Sequence, residues 1–190
     1  MSDSSLHVRS FDLRYSEMDG RGEATPVAML GLMEEAAFTH CEETGWSVPR
    51  LLDAGYGWIL LRGGLEMSAY PEYGKRFSIE TWCSEARRFY GAREYRIRAE
   101  DGAVLGWARS LWVFYSLERR RPVPVLGEIV EAWAPDGVGA GPMELGEVDF
   151  RGEAPPQALP RFEVRRSDID TNGHVHNLNY LSWALEALPQ

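Results

Sequence analysis

The chain has 190 residues, 44% of them apolar, with a formal charge of −9 and a pI near 5.0. That length suits one generous domain or one and a half small ones, and the acidity argues against general nucleic-acid affinity. No apolar run approaches a membrane span, residues 1–10 lack the apolar stretch of a signal or transit peptide, and Cys41 and Cys83 give neither a disulfide framework nor metal spacing, which points to a reducing cytosol.

Residues 6–15 alternate in strand fashion. A polar, glycine-rich turn follows over 16–23. Thr25 reads as an N-cap and Pro26 as a first-turn proline. They open a helix through Val27, Leu30, Met33, Ala37 and Cys41 that should stop near Gly45, apolar over a face broad enough to predict burial on several sides. Residues 47–54 read as a second, short helix. Beyond Gly57 the pattern changes to strands over 58–67, 76–89, 92–99 and 103–115, with Asp101-Gly102 as a hairpin turn. One strand, one long helix and four strands fit an antiparallel sheet folded about a central helix. Residues 122–160 carry more Pro and Gly and read in part as a connector, with 129–133 as a candidate strand. Alternation resumes over 162–165.

Residues 167–180 then crowd two acids, three amides and two histidines into fourteen positions ahead of an apolar run, 178–188. Asp170, Asn172 and His174 lie at i, i+2 and i+4, so an extended backbone would point all three the same way. A helix behind them would aim free N–H groups and its positive dipole end at the same spot, where a carbonyl oxygen gaining charge is stabilised. A polar loop capping a helix accounts for the same residue types.

The run Ser167-Asp168-Ile169-Asp170-Thr171-Asn172-Gly173-His174-Val175-His176-Asn177-Leu178-Asn179-Tyr180 resembles the signature of the acyl-acyl carrier protein thioesterases. Thr81-Trp82, Arg87-Arg88-Phe89-Tyr90, Arg93-Glu94-Tyr95, Trp112-Val113 and Arg120-Arg121-Pro122 match that family in order. The resemblance implies an α+β fold of tandem hot-dog domains, each a long helix wrapped by an antiparallel sheet. It implies a first such domain over 1–130, a connector over 131–159, and over 160–190 the first strand and the start of the central helix of a second. It places Asp170, Asn172 and His174 in the active site. His176 departs from the family's usual Asn. The family's further catalytic acid, Glu or Cys on a downstream strand, has no counterpart before Gln190, so the sequence reads as C-terminally truncated, with one helix and no sheet after Ser167.

The chain repeats itself. Residues 14–23 align with residues 165–174, Ser16 on Ser167, at a constant offset of 151 positions that also carries Leu30 onto Leu181 and Glu35 onto Glu186. Arg21 stands where the second copy has Asn172, and Glu23 where it has His174. The first copy keeps the scaffold and lacks the base, which suits a structural and substrate-holding half.

Thioester hydrolysis needs an activated water and a polarised carbonyl. His174 is the candidate base; Asn172 can orient the water or the carbonyl; Asp170 can fix the loop through backbone N–H groups or hold the imidazole tautomer. His174-x-His176 with Asp170 is a weak metal pattern lacking a further ligand cluster, and neither a metal nor another cofactor is expected. His40-Cys41 pairs a base with a nucleophile in sequence, yet adjacent helix positions do not face each other, so Cys41 reads as a buried small residue, as does Cys83. An acyl chain needs an apolar tunnel, for which Met29, Met33, Trp58 and Met67 are the candidate lining, with Leu32, Phe38, Leu60 and Trp107 beside them. Acyl carrier protein is acidic, so its docking calls for a local basic patch: Arg87, Arg88, Arg120 and Arg121, with Arg93 and Arg119 as further members. Expected partners are acyl carrier protein bearing a fatty acyl thioester, with neither nucleic acid nor membrane, and a homodimer left open. Two other functions fit the residues: an acyl-coenzyme A thioesterase of the wider hot-dog group, and a non-catalytic acyl-binding module.

Overall fold

A computed structural model describes residues 6–133, 138–147 and 161–188. It divides into two units, Met1–Gly146 and Glu147–Gln190. In the first, strand β1 (His7–Phe11) leads through a 3-10 turn (Tyr15–Glu17) to helix α1 (Pro26–Glu43) and the short α2 (Val48–Asp53). Strands β2 (Tyr56–Met67), β3 (Phe77–Arg87), β4 (Tyr90–Ala99) and β5 (Val104–Ser116) follow, then the two-residue β6 (Arg121–Pro122) and helix α3 (Gly127–Trp133). The strands form one antiparallel sheet in the order β1-β3-β4-β5-β2, with β6 on β5.

Helix α1 begins where Thr25 accepts a hydrogen bond from the Ala28 N–H at 3.1 Å, with Pro26 locking the first turn. It ends at Thr44, and Gly45 takes the left-handed φ of 77° that side chains avoid. Met29, Leu32, Met33, Ala36, Ala37, His40 and Cys41 are buried, at spacings of three and four. That is one stripe rather than several sides, because Glu35 and Phe38 (42% exposed) face outward. Full burial of a side chain such as Met29 contributes about 1.5–3 kcal/mol. The stripe meets Phe11, Phe77, Ile79, Tyr95, Ile97 and Ala108 in one apolar cluster. Cys41, Trp46, Leu51, Cys83, Phe114, Val123, Ile129 and Trp133 form a second.

Alternation along β4 turns Arg93 towards α1 and Glu94 to the opposite face. Residues 139–146 cross that opposite face over four strands. The Gly139 carbonyl accepts from Trp82 Nε1 on β3 at 2.9 Å, and the Gly146 carbonyl accepts from Arg62 on β2 at 3.2 Å. Between them Gly141 lies against Glu94 and Trp107, and Met143 and Leu145 lie against Gly64.

Three expected elements differ. The first strand stops at Phe11, and residues 15–17 form a 3-10 turn. Residues 129–133 belong to α3, where Ile129 and Trp133, four apart, are both buried on one side of a helix. Residues 162–165 form no strand; Phe162 instead stacks on Trp183, ring centroids 5.8 Å apart. In the second unit, a 3-10 turn (Arg166–Asp168) leads to helix α4 (Asn177–Glu186), none of whose residues is buried.

Candidate active site

Residues 169–175 form a closed turn. Ile169 and Val175 pair as an antiparallel bridge, the Asp170 N–H donates to the His174 carbonyl at 2.8 Å, and Gly173, at φ 75°, donates back to the Asp170 carbonyl at 3.0 Å. The Asp170 carboxylate fills the turn, accepting from the Asn172 N–H at 2.8 Å, the His174 N–H at 3.1 Å and the Asn172 side-chain amide at 3.4 Å. The His174 N–H first, then the Asn172 N–H and amide, hold the Asp170 carboxyl below the usual carboxylate range. The backbone is therefore a turn, not the extended run that would aim all three side chains alike. Of the two roles open to Asp170, fixing the loop is the one observed. Asn172 and His174 remain exposed.

Asp168 anchors the turn to the helix. Its carboxylate accepts from the Arg165 N–H at 2.7 Å, and its carbonyl accepts from the His176 N–H at 2.8 Å and the Asn179 amide at 3.0 Å. His176 is the N-cap of α4, its Nδ1 accepting from the Leu178 N–H at 3.4 Å. The Asn179 N–H donates to the His176 carbonyl at 3.0 Å, so two first-turn donors expected to be free are already engaged. His174 lies two residues ahead of that cap.

The first unit builds the same turn. Met18 pairs with Ala24 as Ile169 does with Val175. Asp19 accepts from the Arg21 N–H at 2.8 Å and the Glu23 N–H at 3.2 Å, and those two bonds, Arg21 first, hold its carboxyl low as well. Gly22, at φ 79°, donates to the Asp19 carbonyl, and the Arg14 N–H donates to Glu17 as Arg165 does to Asp168. Thr25 donates to the Glu17 carbonyl and caps α1 as His176 caps α4. The bonds that close the turn recur at the offset of 151, so the repeat is structural, although the Asn179 amide bond has no counterpart at Ala28. The difference in the two side chains beside the Asp carboxylate is chemical. Arg21 Nη2 pairs with Glu23 at 3.1 Å, whereas the second copy holds a neutral amide and an imidazole at those positions.

Residues 4–133 match the acyl-ACP thioesterase N-terminal domain family, and residues 155–190 match the C-terminal domain family. The chain belongs to the acyl-ACP thioesterase family. It is 27% identical over its whole length to the chloroplastic oleoyl-acyl carrier protein thioesterase 2 of Arabidopsis thaliana, of which the match spans 56%. An acyl-ACP thioesterase structure from Bacteroides thetaiotaomicron, 26% identical, superposes on all of this chain and 76% of that one with a TM-score of 0.88. The 12:0-ACP thioesterase of Umbellularia californica shares the fold at 23% identity and a TM-score of 0.80, over 97% of this chain and 75% of that one. The α+β fold is a hot-dog, α1 lying against the antiparallel sheet of the first unit. The chain spans about half the length of the curated relatives it matches.

Other residues singled out in the sequence fall less neatly. Met29 (0% exposed) and Met33 (5%) are packed in the first apolar cluster, with Met67 against its edge; Trp58 belongs to the second cluster, stacked on Trp133 with ring centroids 5.6 Å apart. The four are divided between the two clusters. Trp107 and Phe38 lie off both clusters. Arg87 and Arg88 stand at the β3–β4 hairpin on the rim of an open cavity of about 530 Å³, floored by Leu61, Tyr90, Ala92 and Leu111. The Val125 N–H donates to the Arg88 carbonyl at 2.7 Å, bringing the strand that carries Arg121 to the same end of the sheet. Arg87, Arg88, Arg120 and Arg121 are exposed, and none makes an ion pair within 4.0 Å among the described residues.

Arg93 does not belong to that patch, since it is buried at 6% exposure, hydrogen-bonded to His40 and Thr81. His40 and Cys41 both face the sheet, each against Arg93 rather than against each other. Burial pushes the Cys41 and Cys83 thiols up, which keeps them protonated and unreactive. Burial first, then Arg93, then His7, push the His40 imidazole down to about 3. Sequence reasoning missed this buried group; the signal was an arginine flanked by core residues on a strand. Among the described residues no three His, Cys, Asp or Glu side chains cluster closely enough to share a metal ion, and no helix is long and apolar enough to cross a membrane.

Proposed function

We propose that this protein hydrolyses fatty acyl–acyl carrier protein thioesters to the free fatty acid and the carrier, acting from the second turn. The carrying observation is the duplicated turn, in which an Arg21–Glu23 ion pair gives way to Asn172 and His174. An ion pair consumes both side chains, whereas the second pair is left exposed beside a turn that Asp170 holds rigid. His174 takes the proton of the attacking water. Asn172 orients that water or the thioester carbonyl, and Asp170 positions both by fixing their backbone. The first unit holds the acyl chain, and the arginines at the β3–β4 end meet the acidic carrier. Both cysteines are free and buried, in keeping with a reducing compartment such as the cytosol.

The test is turnover of oleoyl-, palmitoyl- and dodecanoyl-carrier thioesters, and of the matching coenzyme A thioesters, by protein expressed from its complete coding frame. Carrier thioesters should be the better substrates, and His174→Ala should lower kcat at least about a hundredfold, the usual contribution of a positioned base. Equal turnover by His174→Ala, or preference for coenzyme A, would contradict the proposal.

A further inference from the structure

Alternation along β4 puts Tyr90 and Ala92 on the same face as Glu94, away from α1. At the level of Ala92 that outer face is dented. Ala92 pairs with Glu85 of β3 and with Leu111 of β5, and Leu111 pairs with Arg62 of β2. Both flanking strands are irregular there, the register slipping between Cys83 and Glu85 on β3 and between Leu60 and Arg62 on β2. An extra residue bends a strand and re-aims a side chain. Leu61 is the extra residue on β2, and with Tyr90, Ala92 and Leu111 it lines the open cavity of about 530 Å³. Small-molecule sites run from about 300 to 1,000 Å³. No residue of the strap 139–146 lines this cavity; Gly141 lies against Glu94, two residues further along β4.

The rim carries the charge. Arg87, Arg88 and Glu85 stand there, and neither guanidinium pairs with an acid within 4.0 Å among the described residues. Arg88 takes a φ of 53°, a left-handed angle that residues with side chains seldom adopt, and its carbonyl is held by the Val125 N–H. The hairpin tip is thus fixed in a strained form beside the cavity, as ligand clamps are. Two guanidiniums against one carboxylate leave a single net positive charge above a floor of hydrocarbon and one phenol ring. A guanidinium fork matches a carboxylate in two parallel bonds. One negative charge suits this rim better than the double charge of a phosphate, which Glu85 opposes.

We propose that the outer cavity binds a free fatty acid, its carboxylate on Arg87 and Arg88 and its alkyl tail on Leu61, Tyr90, Ala92 and Leu111. The site is made wholly by the first unit, on the face of the sheet opposite α1. Under the hydrolase proposal this ligand is the reaction's product, and it draws on the arginines that meet the carrier. Released fatty acid then slows docking of the next substrate. That consequence rests on the hydrolase reading; the binding does not.

The test is titration of dodecanoate, below its micelle concentration, into isotopically labelled protein followed by amide chemical shifts, with dodecanol and dodecyl phosphate as controls for the head group. Dodecanoate should shift the amides of Leu61, Tyr90, Ala92 and Leu111 and bind more tightly than either control. Arg87→Gln/Arg88→Gln should weaken it at least about tenfold, the worth of hydrogen bonds to a charged group. Leu61→Asp, at a position 56% exposed, should also weaken it, with the melting temperature unchanged. Equal binding by the double Gln variant, dodecanol binding as tightly as dodecanoate, or shifts confined to the interior residues Met29, Ile79 and Ile97 would overturn the proposal. With protein from the complete coding frame, added dodecanoate should raise the KM for dodecanoyl-carrier, and Leu61→Asp should reduce that rise. Binding at the cavity with KM unmoved would overturn the consequence for turnover. Absence of turnover would instead overturn the hydrolase reading and leave the binding result standing.

Discussion

Acidification from pH 7 to pH 5 should destabilise the first unit by about 2 kcal/mol through His40 alone. The side chain is 1% exposed, and burial, the Arg93 charge and His7 hold its pKa down to about 3. In the unfolded chain it returns to the ordinary imidazole value of 6.5. Between those values the unfolded state binds a proton that the folded state refuses, so the contribution is fully present above 6.5 and is lost as pH falls towards 3. Near pH 3 the loss would approach about 5 kcal/mol, at 1.36 kcal/mol per unit. The depressed carboxyls of Asp19 and Asp170 act at and below 3.8 and leave the window from 7 to 5 untouched. Urea unfolding followed by tryptophan fluorescence reads the effect. With a slope of about 2 kcal/mol per molar, the midpoint should fall by about 1 M. His40→Leu should flatten most of the dependence, and Arg93→Met, which removes the second cause, should weaken it. The same pH dependence in His40→Leu and in the unaltered protein would refute the reasoning.

Gly106→Ala should lower the melting temperature, because the new Cβ would stand 2.5 Å from the Glu66 carbonyl oxygen and 3.2 Å from the Met67 Cα on the neighbouring strand; about 1–3 kcal/mol of overpacking is expected, and an unchanged melting temperature would contradict that contact. Thr25→Ala removes the α1 cap and should cost about 1 kcal/mol in chemical denaturation. Asp170→Ala should free the Asn172 and His174 N–H groups, which amide exchange would register, and should reduce hydrolysis, whereas Asp19→Ala should loosen only its own turn. Arg120→Glu should weaken carrier binding at low salt and reduce its salt dependence; an unchanged dependence would remove Arg120 from the docking surface.

The long helix and the four main strands were legible because their signals are local. Thr25-Pro26 starts α1, Gly45 ends it, and Asp101-Gly102 turns β4 into β5. The repeat was legible too, since an acidic side chain bonding N–H groups two and four residues on leaves the same pattern twice. What escaped depended on distant partners. Residues 129–133 carry two bulky residues four apart, a helical spacing, yet their aromatic and branched composition read as strand. Residues 162–165 alternate without any neighbouring strand to pair with among the described residues. Arg93 looked like one more surface arginine; its burial is decided by His40, Thr81 and Trp133, which come from other elements. The candidate acyl-lining residues Met29, Met33, Met67 and Trp58 are divided between two clusters because apolar residues of separate clusters look alike in sequence.

The central claim is that two homologous turns share a scaffold while the second alone carries chemistry. Exchanging their side chains tests it most directly: Asn172→Arg/His174→Glu in the second turn, Arg21→Asn/Glu23→His in the first, each assayed for acyl-carrier thioester hydrolysis alongside thermal melting. The account predicts that the first pair abolishes turnover with melting unchanged, and that the second pair leaves turnover intact. Hydrolysis that survives the loss of Asn172 and His174, or that vanishes with Arg21 and Glu23, would contradict it.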